Sequence, residues 1–233
     1  MVNSKDEKAL FSKHFSGINA LKRMLSISSP TLQSWERFYR ANFVNSLTGF
    51  KSVSLIGTIN ATGQTNLAIF SSLVHIGSDP ALIGFINRPV AAAPHTLGNI
   101  RAVGSYTVNQ IHPALVAQAH QTSAKYPETV SEFDELGFTP EFRDSIAAPF
   151  VLESTVKYAL ALQEIIPIAL NNTFLVIGKV EHVVVPENIL LPDGFLELDR
   201  AATVCSNGID GYYATRLIDR YRYAKPGAKP EKL

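Results

Sequence analysis

Five side chains between positions 66 and 96 are of types that could together bind an anion: Asn66, Ser71, Ser72, Arg88 and Thr96. Amide and hydroxyl groups donate to oxygen, and a guanidinium presents a fork of N–H groups that suits two-pronged contact with a phosphate. Arg88 directly follows an apolar run, and Pro89 stiffens the exit from it. Thr96 stands where a helix is expected to begin, so its hydroxyl and the free N–H groups of the first turn would favour the same anion. Ser71 and Ser72 are consecutive and on a strand would face opposite ways, so both can meet one anion only where the strand ends or bends. The same residue types also arise for local reasons: serines at strand exits, an arginine in a surface turn, a threonine that only caps a helix. Periodicity does not separate the two readings.

Other chemistries lack their patterns. The sequence has no Gly-x-Gly-x-x-Gly behind a strand, no Gly-x-x-x-x-Gly-Lys and no Gly-x-Ser-x-Gly. Its six histidines (14, 75, 95, 112, 120, 182) show neither His-x-His nor His-Glu-x-x-His spacing, so no metal site and no protein acid–base or nucleophilic group is assigned. A single cysteine, Cys205, rules out an internal disulfide; it reads as a small buried hydrophobe, with a reactive thiol as the alternative. The formal charge of +1 gives no broad electropositive face, which argues against nucleic acid as a partner. The first residues mix charges with no apolar stretch behind them, unlike a secretory signal. The apolar stretches Ala81 to Ile86 and Tyr158 to Leu170 are too short, or interrupted by Gln163 and Glu164, to span a bilayer. A cytoplasmic protein with no membrane partner is expected.

The elements that would position these residues are mostly strands. Residues 1–40 read as an N-terminal arm, with a short helix near Asn19 to Leu25 and a second from Ser29-Pro30 carrying Leu32, Trp35, Tyr39 and Phe43 at helical spacing, stopped at Gly49. Period two then takes over at Val53 to Ile59. The loop Asn60 to Gln64 has hairpin length, Thr65 to Leu73 returns, and Ala81 to Asn87 forms a third strand between prolines. A short helix from Pro94 to Ala102 ends at Gly104, and Ser105 to Gln110 is again a strand. Residues 113–146 read as mostly helical, followed by long strands over 156–162 and 174–185 and a last unit from Phe195 to Tyr213. Residues 224–233, with Pro226, Gly227 and Pro230 among lysines, read as a disordered tail. Strands outnumber helices and the alternation of a doubly wound sheet is absent, so the fold class is mainly β: a barrel with peripheral helices.

The residues also match a known pattern. Gly57-Thr58 with Asn66-Leu67-Ala68-Ile69-Phe70-Ser71-Ser72, then Ser78-Asp79-Pro80-Ala81-Leu82-Ile83 with Asn87-Arg88, then His95-Thr96-Leu97-Gly98-Asn99-Ile100 with Gly104 to Asn109, stand in the order and spacing of one family. The match continues through Thr122 to Pro127, Glu132-Phe133 and Leu136 to Pro140, over roughly residues 41 to 220. It resembles the flavin reductase-like, FMN-binding split-barrel family. What the resemblance implies is a split-barrel domain over 41–223 with FMN as cofactor (FAD the alternative). Asn66, Leu67, Ala68 and Ile69 would run along the isoalloxazine edge. Ser71, Ser72, Arg88 and Thr96 would hold the phosphate, and Asn87 would lie near the ribityl chain. Two positions depart from the family: Ala81 stands where a second proline is common, and His95 where an aspartate is common. His95 either adds a donor to the phosphate or points to solvent. The family is typically homodimeric, and the arm would cover the flavin's open face or extend the dimer contact.

The function this implies is an NAD(P)H-dependent flavin oxidoreductase passing hydride from reduced nicotinamide to flavin and on to an unidentified small-molecule or protein acceptor. The alternative is a non-catalytic FMN-binding electron carrier or flavin store. Because the cofactor carries the reaction, no protein acid or base is required.

Overall fold

The computed structural model describes residues 24–92, 94–143 and 145–233. The helix expected near Asn19 to Leu25 lies largely outside them. By its contacts the chain divides into Met1–Phe43 and Val44–Leu233.

The helix expected from Ser29 onward is two helices, α1 (Ser29–Ser34) and α2 (Arg37–Leu47). Ser28, one residue earlier than expected, is the N-cap, its hydroxyl accepting from Thr31 N–H, with Pro30 in the first turn. Trp35 is extended (φ −70, ψ 150), and the Glu36 carboxylate accepts the Phe38 and Tyr39 N–H groups at 2.7 and 3.1 Å. A carboxylate that caps the next turn restarts the helix there, a local competition that apolar spacing alone does not reveal. The aromatic stripe packs on itself: Trp35 lies edge-on to Tyr39 and Phe43, with centroids 4.9 and 5.0 Å apart.

In the larger unit, strands follow as β1 (Lys51–Ser52), β2 (Ser54–Ile59), β3 (Thr65–Phe70), β4 (Leu73–Ser78) and β5 (Ala81–Asn87). Then come α3 (Pro94–Val103), β6 (Ser105–Gln110), a 3-10 turn at Pro113–Leu115, α4 (Val116–Gln121) and α5 (Glu132–Leu136). The chain continues through β7 (Pro140–Arg143), β8 (Ile146–Val151), β9 (Lys157–Ile168), β10 (Thr173–Val184), β11 (Val204–Asn207) and β12 (Gly211–Ala214). The β2–β3 turn is set by its sequence. The Asn60 side-chain oxygen accepts the Thr62 and Gln64 N–H groups at 3.0 and 2.9 Å, and Gly63 takes the positive φ (91°) that a side chain resists.

Seven strands form one antiparallel sheet in the order β3-β2-β6-β9-β10-β5-β4. Its two edge strands, β3 and β4, are joined only by Ser71-Ser72, so that Phe70 and Leu73 lie at most about 11 Å apart. The sheet must therefore curl until its ends meet, and with no ladder between β3 and β4 the barrel is split along that seam. Two apolar clusters pack against the two faces of its wall. Ile56, Phe85, Leu97, Ile100, Tyr106, Val108, Leu160 and Val176 form one, bringing α3 onto the strands. Val53, Leu55, Leu67, Ile111, Leu115, Ala119, Phe133, Phe138, Val151 and Val204 form the other, under α4 and α5. β2 contributes Ile56 to the first and Leu55 to the second, so both its faces are covered.

Residues 113–146 correct the helical expectation. Helices α4 and α5 are short, and β7 with β8 makes a hairpin from the end of this stretch, with Pro140 opposite Val151. Tertiary contacts make β8 a strand despite its Ala-Ala-Pro sequence: Thr107 Oγ1 donates to Pro149 O at 2.6 Å and Asn109 Oδ1 accepts Val151 N–H at 2.9 Å. Gly57 is required at the same crossing, where a Cβ would lie 2.3 Å from Pro149 O and 2.6 Å from Thr107 Oγ1. Strand β4 was not expected either; the expected strand over 65–73 stops at Phe70 and a new one begins at Leu73. Tail residues 224–233, where disorder is expected, turn at Gly227 (φ 78) and run back, Tyr221 opposite Lys232 and Arg222 N–H donating to Glu231 O at 2.9 Å. Among the described residues no helix is long and apolar enough to cross a membrane.

Candidate functional site

A cleft of about 280 Å³ opens beside the free edge of β3, between the stretch from Arg88 to Thr96 and the segment from Thr122 to Tyr126. Parity along β3 tells which backbone groups face it. In an antiparallel pair the residues bonded to the neighbour alternate with residues whose N–H and C=O point the other way. Leu67 N–H donates to Glu132 Oε2 at 2.9 Å, so it points away from β2. The β2–β3 register runs unbroken from Ser54↔Phe70 to Ile59↔Thr65, which puts Thr65 and Ile69 in the same outward row. The start of α5 packs against that row: Glu132 takes Leu67 N–H, and Ser131 Oγ, just before the helix, lies 2.6 Å from Thr65 Oγ1. Ile69 is left as the rung presenting a donor and an acceptor at the cleft wall, flanked by Ala68 and Phe70.

The phosphate-binding candidates divide. Arg88 lines the cleft directly after β5, where Asn87, itself buried, turns the chain by donating its amide to Arg88 O at 2.7 Å. A tight turn follows, Ala92 N–H donating to Pro89 O at 2.7 Å, and Pro94 opens α3 in the position where a missing N–H costs nothing. His95 and Thr96 line the cleft in that first turn, whose N–H groups have no partner within the helix. Thr96 Oγ1 accepts from Asn66 Nδ2 at 3.3 Å, which leaves its own proton to donate. Asn66 also donates to Thr58 Oγ1 at 3.2 Å, and Asn99 reaches the same oxygen at 3.1 Å. Both Asn66 amide protons are thus committed to tying β3, β2 and α3 together, although the residue lines the cleft. Ser71 stands in the two-residue link where the strand ends, and neither it nor Asn87 is among the residues that line the cleft.

Ser72 is placed differently from the expectation. Its hydroxyl donates to Ile86 O at 3.0 Å and accepts Ile86 N–H at 3.1 Å, acting as a further rung between the seam and β5. Its only proton is committed there, and it does not line the cleft. Leu67 is likewise turned away, its side chain in the core and its N–H on Glu132.

Residues given no role from sequence complete the wall: Ser123, Lys125 and Tyr126 after α4, and Glu132. Lys125 and Arg88 form no ion pair and no side-chain hydrogen bond among the described residues. Glu132 is 6 % exposed, and burial pushes its carboxyl above the ordinary range against the opposing pull of Leu67 N–H, its own N–H and His95. The segment carrying Lys125 belongs to the motif order read from sequence, and a lone lysine after Thr122-Ser123-Ala124 was the signal available there. Cys205 sits on β11, outside the cleft.

Residues 50–198, well over half of the chain, match the family model described as flavin reductase like domain. Among solved structures, a candidate flavin reductase with a split barrel domain from Shewanella frigidimarina NCIMB 400 is 43% identical, with a TM-score of 0.84 covering 86% of this chain and 100% of that one. Nitrilotriacetate monooxygenase component B from Bacillus cereus shares the fold at 21% identity and a TM-score of 0.74, over 84% of this chain and 98% of its own. Flavoredoxin of Desulfovibrio vulgaris (Miyazaki F) does so at 24% identity and 0.64, over 77% and 92%. The split barrel, its ordered motifs and these matches agree: the chain belongs to the flavin reductase like family of flavoprotein split barrels.

Proposed function

We propose that the chain binds FMN in this cleft and is an oxidoreductase that takes reducing equivalents from NADH or NADPH and delivers them to a small-molecule or protein acceptor. One observation carries the reading. A single cleft joins an open backbone rung at Ile69, with an apolar wall from Ala68 to Phe70, to two cations, Arg88 and Lys125, that have no partner among the described residues.

The donor set suits a phosphomonoester joined to a flat ring with a polar edge. Arg88, Lys125, the Thr96 hydroxyl and the N–H groups opening α3 would hold the phosphate. Ile69 N–H and C=O would meet the ring's polar edge, and Ser71 lies within the same seam. Asn66 positions this wall through Thr58 and Thr96. Ser72 supports it through Ile86 and is not placed among the phosphate donors. Bound FMN would supply the redox chemistry, while the chain's residues bind, orient and shape the ring's surroundings. Assembly as a homodimer belongs to the same proposal, and light scattering at the size-exclusion peak reads it.

The test is direct. The purified protein is titrated with FMN and FAD by flavin fluorescence, then supplied with NADH or NADPH while nicotinamide absorbance is followed. Saturable FMN binding with steady nicotinamide oxidation supports the whole reading. Binding without turnover reduces it to an electron carrier or flavin store, and no binding of either flavin overturns it.

A further inference from the structure

Among the described residues Glu132 is the one carboxylate on the cleft wall, and the proposed function gives it no part. It is buried, and one oxygen is fixed by Leu67 N–H at 2.9 Å. It forms no ion pair among the described residues. The charged and titratable groups around it come from each neighbouring stretch: His95 on α3, Lys125 and Tyr126 after α4, and Arg88 after β5. Glu128 shares a small polar recess with His95. Burial disfavours the charged form of Glu132, and of these groups His95 favours it.

A flat ring laid in this cleft removes the remaining water from a carboxylate already short of it. Desolvation penalises the charged form, so covering Glu132 raises its proton affinity further. By linkage, a group that binds protons more tightly in the complex takes them up as the complex forms. We propose that Glu132 is a positioning residue whose protonation is coupled to flavin binding: it holds the β3 edge through Leu67, and FMN binds with uptake of a proton at its carboxyl. The coupling rests on the reading that this cleft is the flavin site. Its sign is fixed. The contribution is complete at pH values where free Glu132 is already protonated, declines through the window in which binding takes up a proton, and is lost as pH rises through the carboxyl's value in the complex.

The experiment is calorimetric titration of FMN into the wild type and Glu132→Gln, in buffers of differing ionisation enthalpy, at several pH values between 5 and 8. The amide keeps an oxygen for Leu67 N–H but has no proton to exchange, and ionisation of the FMN phosphate is common to both proteins. The wild type should take up more protons than the variant, by a difference approaching about one per bound FMN at the most favourable pH. Equal proton numbers with FMN bound to both overturn the coupling and leave the flavin site standing. No FMN binding to the wild type overturns both. Wild-type infrared difference spectra give a reading that needs no variant: a protonated-carboxyl C=O band should rise on adding FMN, and its absence refutes the coupling.

Discussion

Replacing Arg88 by alanine removes a guanidinium that has no partner among the described residues and stands at the exit of β5, where the Asn87 side-chain amide holds the Arg88 backbone carbonyl. The loss of stability should be small, since no intramolecular contact is broken. The loss of FMN affinity should not be. A hydrogen bond to a charged group contributes about 1.5–3 kcal/mol. Arg88 is exposed, and water and salt screen such a contact, which places the effect at the lower end. About 1.5 kcal/mol corresponds to roughly a tenfold rise in Kd. Fluorescence titration of wild type and variant with FMN and with riboflavin isolates the phosphate. FMN affinity should fall about tenfold while riboflavin affinity stays level, and added salt should narrow the gap between the two proteins. Unchanged FMN affinity refutes the phosphate assignment. Equal losses for FMN and riboflavin would show instead that Arg88 shapes the cleft.

Three other changes probe the supports. Ser72→Ala loses two hydrogen bonds to Ile86, which should lower stability by about 1–3 kcal/mol in urea unfolding. Its FMN affinity should change less than that of Arg88→Ala, and the reverse order would return Ser72 to the phosphate. Gly57→Ala drives a Cβ to 2.3 Å from Pro149 O, so urea unfolding should show a loss of at least about 1–3 kcal/mol, and a stable variant would contradict the crossing of β8 over β2. For Glu141, burial raises its carboxyl but the ion pairs with Lys157 and Arg143 outweigh it and hold the group below its usual range. Its stabilisation is therefore complete above the ordinary carboxylate value and is lost as pH falls toward the depressed one. Tm measured against pH should fall less steeply on the acid side for Glu141→Gln, and parallel curves would remove the pair from the acid response.

Much of the fold was readable because it is written locally. Asn60 to Gln64 carry their own turn, prolines fence β5, and the period-two runs of β9 and β10 are long enough to stand alone. Strand β8 was hidden because side chains of Thr107 and Asn109, some forty positions away, make it a strand. The break at Trp35 was hidden because a Glu36 cap and an apolar stripe leave the same spacing. On the cleft wall, the positions of Arg88 and Thr96 at the ends of elements were legible from the proline punctuation around them. The bonds of Ser72 to Ile86 were not legible, because a hydroxyl that completes a ladder looks, in sequence, like one that meets a ligand. Glu132 could not be assigned, since its role depends on which β3 amides face outward, and that parity exists only once β2 has paired.

The most direct test is the crystal structure of the protein soaked or grown with FMN. Difference density should place the phosphate among Arg88, Lys125 and the start of α3, with the ring against β3 at Ile69. Density for the flavin elsewhere on the barrel, or none in crystals saturated with FMN, would contradict the assignment of this cleft.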